Sequence, residues 1–224
     1  MIAPNFPGYG GSDPLGRPHT IVDLGRSLVA FLDRIEVSEA DVIGVSMGGG
    51  VAIWLALEHP ERVAGLVPVD PYGLQSHAPL HFLSFLASRL PLDRVSFAAM
   101  RASEWLTRRV LGTIFADPSR IDGALVSEVS ETVRTPRAGL AFGNFQRGEV
   151  GPRRLKTVLM DRVREIRHPT LFIHGRHDGL VPLSAVRQAA RRMENAQVEV
   201  LDAGHWPMRE QPEAFNAVVT NFLS

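Results

Sequence analysis

Hydrophobic and polar positions alternate along the chain in two distinct ways, which predict helices and buried strands. Apolar residues three and four positions apart predict a helix over residues 20–35. Short β-branched runs at 41–45 and 63–69 predict strands, and the longer Ala-rich run 51–57 between them predicts a helix. The order strand, helix, strand is typical of a parallel sheet with helices packed on it.

The pattern becomes helical throughout residues 71–165. Aromatic side chains lie at helical spacing here, and prolines separate the segments. The predicted helical segments are 80–90, 94–111, 121–133 and 137–147. We interpret this region as a helical insertion into an α/β core that consists of residues 1–70 and 166–224.

The sheet pattern returns after the insertion. Residues 170–174 and 197–201 predict two more strands, with one helix between them near 184–193 and a last helix over 212–223. The whole chain is therefore predicted to be an α/β domain with a parallel sheet flanked by helices and interrupted by one helical insertion.

Composition excludes several classes of protein. The 24 Lys and Arg residues balance 24 Asp and Glu residues among 224, so charge gives no reason to expect nucleic acid or an anionic membrane as partner. The absence of cysteine excludes disulfides, thiolate zinc sites and a cysteine nucleophile. No apolar run reaches the roughly 18 residues of a membrane span, and the first residues do not resemble a signal peptide. A cytoplasmic location is expected.

The most informative motif lies where the first strand meets its helix. Residues 44–50 read GVSMGGG and match G-x-S-x-G, in which a tight turn holds a serine in a strained backbone conformation above the sheet. Ser46 is therefore predicted to be a nucleophile, and the backbone N–H of Met47 is predicted to stabilise an oxyanion. A glycine-rich turn with an incidental serine, or a phosphate-binding turn, is the alternative interpretation, although no G-x-G-x-x-G or Walker motif is present.

A serine nucleophile needs a base and an orienting carboxylate. His205 follows the last predicted strand, and Asp178 follows the strand 170–174, so both belong to the sheet edge where ligands bind in α/β proteins. The chain order Ser46, Asp178, His205 is the order expected for this topology.

Other residues compete for these roles. Asp70 ends the strand 63–69 and could supply the acid instead, whereas Asp202 is interpreted as a turn former. His19 is assigned to a polar turn. The segment 174–178 resembles a metal-ligand cluster, but no further histidine or carboxylate at a familiar spacing supports a metal, so none is expected.

Together these motifs resemble the α/β-hydrolase superfamily, and specifically its lidded, esterase-like serine hydrolases. Residues 3–12 resemble the family's A-P-D-x-P-G-x-G-x-S segment, and residues 46–49 resemble its nucleophile elbow. Residues 175–182 resemble the acid loop, and residues 204–205 the histidine loop. The insertion 71–165 corresponds to the family's variable lid.

The resemblance also implies that something is missing upstream. Similar proteins carry three further strands and a His-Gly loop before the segment numbered 1–12 here, and that loop supplies the second oxyanion donor. The chain is thus expected to be N-terminally truncated, without this second donor and with an exposed hydrophobic sheet edge. Asn5 stands where the family usually has aspartate.

The resemblance implies a serine hydrolase that cleaves ester-type bonds of a small, mainly apolar substrate without a cofactor. Serine at position 46 argues against the haloalkane dehalogenases and epoxide hydrolases, which use aspartate there. Lactonase, perhydrolase and carbon–carbon hydrolase of ring-cleavage products stay open. The alternative from another class is a catalytically impaired, ligand-binding relative or fragment.

Overall fold

A parallel β-sheet forms the centre of the computed structural model, which describes residues 1–90, 92–134 and 138–224. Its strands are β1 (Ala40–Val45), β2 (Val63–Val69), β3 (Thr170–Gly175) and β4 (Ala196–Leu201). They lie side by side in chain order, and every neighbouring pair is parallel. The carboxyl ends of all four strands therefore meet at one edge of the sheet.

Helices cover both faces of this sheet or form the insertion. In chain order they are α1 (Ile21–Arg34), α2 (Met47–Glu58), α3 (His81–Arg89), α4 (Leu92–Ala102), α5 (Glu104–Leu111), α6 (Gly123–Arg134), α7 (Ala138–Glu149), α8 (Leu183–Arg192), α9 (Pro207–Glu210) and α10 (Pro212–Leu223). The predicted parallel sheet flanked by helices is confirmed.

Side chains of β2 and β3 alternate between two apolar cores. Leu66 and Phe172 point to one face, where they pack in a cluster with residues of α1, α2 and α8. Val67 and Ile173 point to the other face, where Phe215 of α10 joins them. The strands are buried on both faces, which explains their continuous apolar sequences.

Two helices show how the sequence sets the local structure. Thr20 and Asp23 form a capping box at the start of α1, in which the Asp23 carboxylate accepts the Thr20 N–H at 2.8 Å. Helix α2 is buried from Gly49 to Ala56 around its whole circumference, because it lies between the sheet and α1. A helix that is apolar on all sides is typical of such an interior position.

The insertion follows the prediction except for one helix. The single helix predicted over 94–111 is wrong, because Ser103 takes an extended conformation and its Oγ accepts the Leu106 N–H. That serine therefore caps a new helix, α5. Residue 137, the predicted start of the last insertion helix, lies outside the described residues. The limits 71–165 for the insertion stay a prediction, and the short helix α9 was not predicted.

Two surface features complete the fold. Within the described residues β1 is an edge strand, and the side chain of Ile43 on it is 44% exposed. Helix α3 and the residue before it expose several apolar side chains, including Leu80 and Phe82.

In the parts of the chain that the structure describes, no helix combines the length and apolar character needed to cross a membrane.

Candidate active site

Ser46 occupies a strained turn between β1 and α2. Its backbone has φ 52° and ψ −113°, a conformation that non-glycine residues rarely adopt. Three hydrogen bonds hold it: the Ser46 N–H donates to Val69 O at 2.8 Å, and its carbonyl accepts the N–H groups of Gly50 at 3.0 Å and Tyr72 at 2.9 Å. Such strain persists only where the surroundings impose it, and it is concentrated at functional sites.

The two glycines of the motif have different roles in this turn. A Cβ atom on Gly44 would lie 2.2 Å from the Gly48 carbonyl oxygen, which is far inside contact distance. A Cβ atom on Gly48 would meet only the Phe6 ring, at 3.8 Å. The tight turn therefore requires glycine at position 44 and merely tolerates it at position 48.

We expect Gly44→Ala to lower the free energy of unfolding by about 1–3 kcal/mol, since the new methyl group must displace backbone. Gly48→Ala is the matched control, and it should leave stability unchanged or raise it by up to about 1 kcal/mol because alanine favours helix. Urea denaturation of the two variants checks this. Equal losses of stability in Gly44→Ala and Gly48→Ala would contradict the conclusion that only position 44 requires glycine.

The N-terminus of α2 adjoins the Ser46 side chain. Met47 is the first residue of this helix, and its N–H makes no hydrogen bond to any described residue. The helix dipole adds partial positive charge at this point, so the site favours an anion. The Tyr9 hydroxyl, which the sequence did not single out, lies 3.9 Å from the Met47 sulfur, and burial raises the pKa of Tyr9 well above its usual range.

His205 and Asp178 form a buried hydrogen-bonded pair. The Nδ1 of His205 lies 2.8 Å from Oδ2 of Asp178, and the two side chains are 5% and 0% exposed. Because an ionised carboxylate can only accept, Nδ1 carries the proton and Nε2 is left as an acceptor. The imidazole is thus oriented and held in the tautomer that a general base requires.

Several donors hold Asp178 in its ionised form. Its Oδ1 accepts the N–H groups of Leu180 at 2.7 Å and Val181 at 3.3 Å. Burial by itself raises the pKa of Asp178, but the hydrogen bond and charge of His205 and these two amides outweigh burial and keep that pKa below its usual value.

Ser46 Oγ makes no hydrogen bond to His205 in this structure, although both residues lie at the carboxyl edge of the sheet. Such contacts are often long in unliganded sites and tighten when a ligand binds. The structure thus joins two of the three predicted residues directly and places the third at the same edge.

A buried carboxylate that the sequence did not reveal fixes the histidine loop. Glu210 is 1% exposed. It accepts three backbone N–H groups, from Gly204 at 2.6 Å, Ala116 at 2.9 Å and Asp117 at 3.0 Å. The N–H of His205 also donates to Ile114 O at 2.7 Å. The insertion is therefore tied directly to the loop that carries His205.

The competing acids have separate positions. Asp70 is fully buried at the end of β2, where its Oδ1 accepts the Gly175 N–H at 3.0 Å rather than a bond from His205. Asp202 is exposed and pairs with His177 at 2.9 Å. Asp178 is thus the carboxylate that contacts His205.

Two expectations about polar residues need correction. His19 is not in an exposed polar turn: it is 2% exposed, and burial lowers its pKa. A further carboxylate, that of Asp70, does lie beside the segment 174–178. Oxygens of Asp70 and Asp178 and a nitrogen of His174 lie within 4.8 Å of one another. Spacing along the chain could not reveal this cluster, since Asp70 comes from a different strand.

Comparisons with known proteins agree with this architecture. Residues 1–212 match the profile of the family described as alpha/beta hydrolase fold. A 2-hydroxymuconate semialdehyde hydrolase from Pseudomonas putida is 30% identical over 230 residues, which cover 100% of this chain and 76% of that protein.

Solved structures give the same result. A meta-cleavage product hydrolase from Pseudomonas fluorescens IP01, solved as a serine-to-alanine mutant complexed with acetates, superposes with a TM-score of 0.78 at 25% identity, over 99% of this chain and 78% of that one. The enol-lactonase from Burkholderia xenovorans LB400 has a TM-score of 0.78 at 24% identity, over 98% and 78% of the two chains, a likeness of fold alone. The chain spans about three quarters of the length of these proteins.

Proposed function

Because this chain belongs to the α/β hydrolase fold family of enzymes, we propose that it hydrolyses acyl bonds with Ser46 as nucleophile, His205 as base and Asp178 as orienting acid. The observation that carries the proposal is the buried 2.8 Å hydrogen bond between His205 and Asp178 at the edge where Ser46 is held in its strained turn. Nothing in this chemistry requires a metal or an organic cofactor.

The reaction follows from the roles of these groups. His205 Nε2 takes the proton of Ser46 Oγ while that oxygen attacks the carbonyl carbon of an ester. The N–H of Met47 donates to the oxyanion, and Asp178 stabilises the imidazolium. The imidazolium then gives its proton to the leaving alcohol, and water releases the acyl group from Ser46 with His205 again as base.

The substrate class and the completeness of the oxyanion hole are part of the proposal. We propose a small, mainly apolar ester that binds between the sheet edge and the helical insertion, since the aromatic residues of the insertion offer apolar surface. One oxyanion donor, Met47, is assigned, and no second donor is assigned among the residues that the structure describes.

A second candidate function is the cleavage of a carbon–carbon bond in a ring-cleavage product. It is favoured by the 30% identity to the Pseudomonas putida protein, which is named a 2-hydroxymuconate semialdehyde hydrolase. The same serine, histidine and aspartate would serve this reaction: Ser46 would attack the carbonyl carbon at the bond to be broken, the carbon leaving group would depart and take up a proton, and water would release the acyl group from Ser46.

A substrate panel separates these functions. Wild-type protein and Ser46→Ala are assayed on p-nitrophenyl esters of increasing acyl length and on 2-hydroxymuconate semialdehyde. The proposal expects ester turnover that is lost in Ser46→Ala. A kcat/KM for the semialdehyde at least tenfold above that for the best ester would favour carbon–carbon hydrolysis. Ligand-dependent thermal stabilisation without any turnover would favour a binding protein.

Glu210 provides a further prediction, because it holds the loop of the proposed base. Glu210→Gln replaces one acceptor oxygen by an amide donor and leaves at least one buried N–H without a partner. We expect the free energy of unfolding to fall by about 1–3 kcal/mol and kcat to fall about tenfold or more as His205 loses its position. The exposed Glu213 supplies the control variant, Glu213→Gln, which should change neither quantity. A Glu210→Gln protein with unchanged kcat would contradict the positioning role.

A further inference from the structure

A second buried carboxyl group lies beside the Asp178 and His205 pair. The side chains of Asp70 and Asp178 are both 0% exposed, and together with His174 they place polar atoms within 4.8 Å of one another. The Oδ1 of Asp70 accepts the Gly175 N–H at 3.0 Å. Its Oδ2 is buried and has no hydrogen-bond donor among the described residues. An acceptor oxygen buried without a donor is costly.

Among the residues that the structure describes, no Lys or Arg forms an ion pair with this second carboxyl group. In the described parts of the chain its ion-pair contact is the imidazole of His174, at 3.3 Å. That ring has its Nδ1 2.7 Å from Gly175 O, a bond that requires the proton on Nδ1, and burial lowers the pKa of His174, which disfavours a positive charge on the ring. The other charged groups that face Asp70 are Asp178 and Glu210, both carboxylates.

Two buried carboxylates this close together cannot both be ionised without a compensating charge. A proton shared by the pair would remove this conflict, and the hydrogen bonds favour one of the two residues as its holder. Asp178 accepts from His205, Leu180 and Val181 and is stabilised as the anion. Among the described residues, Asp70 accepts from one amide only, which favours Asp70 as the group that holds the proton.

We propose that Asp70 is a positioning residue of this site, which keeps its proton at neutral pH and donates it in a hydrogen bond to the Asp178 carboxylate. The catalytic part of this proposal rests on the function proposed above, whereas the location of the proton does not. The bond satisfies the buried Oδ2 of Asp70, fixes the Asp178 carboxylate against His205 and disperses its negative charge.

The electrostatics agree with the geometry. Burial and then the charge of Asp178 raise the pKa of Asp70 to about 9, with Glu210 adding to the rise and the Gly175 amide opposing it. The pKa of Asp178 shifts in the opposite direction, below its usual value. Raised and lowered values on neighbouring carboxyl groups are typical of a pair that shares one proton.

The backbone at Asp70 favours an informative substitution. Asp70 has φ 42°, in the left-handed region that asparagine tolerates better than most residues. Asp70→Asn therefore fits the same backbone, accepts from Gly175 through its oxygen and donates to Asp178 through its amide group. Unlike a carboxylic acid, this amide keeps its donor at every pH.

The sign of the pH dependence follows from linkage. In the unfolded chain Asp70 loses its proton near its ordinary pKa of 3.8, whereas in the folded protein it keeps it up to about 9. Between these values the folded state binds one more proton, so its stability falls as the pH rises. Asp70→Asn removes this dependence, and its stability relative to wild type must increase with pH.

Thermal unfolding of wild type, Asp70→Asn and the exposed control Asp202→Asn at pH 5 and pH 8.5 tests the location of the proton. We expect the Tm of Asp70→Asn relative to wild type to rise by at least about 3 °C between the two pH values, and the control to show no such change. A relative Tm that does not rise between the two pH values would mean that Asp70 is already ionised in the folded protein and would overturn the proposal. So would a wild-type Tm that EDTA lowers, because a bound cation would then balance the two carboxylates.

Activity against pH tests the positioning role separately. Ionisation of Asp70 would place a second negative charge near His205 and stabilise the protonated imidazole, which cannot act as a base. Wild-type kcat/KM should therefore fall toward pH 9.5. Asp70→Asn should stay within about threefold of wild type at pH 7 and lose this alkaline decline, while Asp70→Ala should lose at least tenfold in kcat. The predicted Tm shift without any change in the pH profile would overturn the positioning role. Absence of all turnover would contradict the proposed function but leave the Tm result to decide the proton.

Discussion

We expect replacement of Ser46 by alanine to lower kcat/KM by about 10⁴- to 10⁶-fold on every substrate that the wild-type protein hydrolyses. The reason is that the proposed mechanism forms and breaks its covalent bond at Ser46 Oγ, and no other group in the turn can replace that oxygen. The measurement is steady-state turnover of the best p-nitrophenyl ester, with circular dichroism and Tm to establish that the variant is folded.

The matched control is Ser184→Ala, an exposed serine in the first turn of helix α8. It should retain the full activity of wild type. A Ser46→Ala protein that keeps more than a tenth of the wild-type kcat/KM would show that the nucleophile is a different residue.

We expect replacement of Asp178 by asparagine to lower kcat by about 10³- to 10⁴-fold with little change in KM. An amide at this position can present its N–H groups to His205 Nδ1 and so favours the tautomer that carries its proton on Nε2. In that tautomer Nε2 cannot take the proton of Ser46. The charge that stabilises the imidazolium is lost as well. Initial rates over a range of substrate concentrations separate kcat from KM.

Asp202→Asn is the control for this substitution, since Asp202 is exposed and pairs with His177 instead. It should behave like wild type. Near-normal activity in Asp178→Asn, together with a large loss in Asp70→Asn, would identify Asp70 as the orienting acid and contradict the assignment made from the His205 hydrogen bond.

Sequence was most informative where function depends on local backbone chemistry. The Gly44 to Gly48 motif predicted the strained conformation of Ser46, because the collision that excludes a side chain at Gly44 arises within the turn itself. The apolar runs predicted all four described strands. The pattern was clearest for β2 and β3, since a strand buried on both faces has a nearly continuous apolar sequence. His205 and Asp178 were predicted as a base and its orienting acid from their positions directly after strands, and the structure places the two side chains in hydrogen-bond contact.

Sequence was less informative where a residue acts through distant contacts. Glu210 accepts N–H groups from residues more than 90 positions away, and no local pattern signals that arrangement. Asp70 is drawn next to His174 and Asp178 by strand pairing, so its effect on them follows only from the sheet order. The break at Ser103 was missed because its helical spacing continues across the serine that caps α5.

The central claim, that Ser46 is an activated nucleophile, is tested most directly by labelling with a fluorophosphonate. Wild type and Ser46→Ala are treated with the reagent, their intact masses are measured, and the adduct is located within the tryptic peptide 35–62, which contains Ser46. We expect a single adduct on Ser46 of wild type and none on Ser46→Ala. An adduct on any other residue, or no adduct on folded wild-type protein, would contradict it.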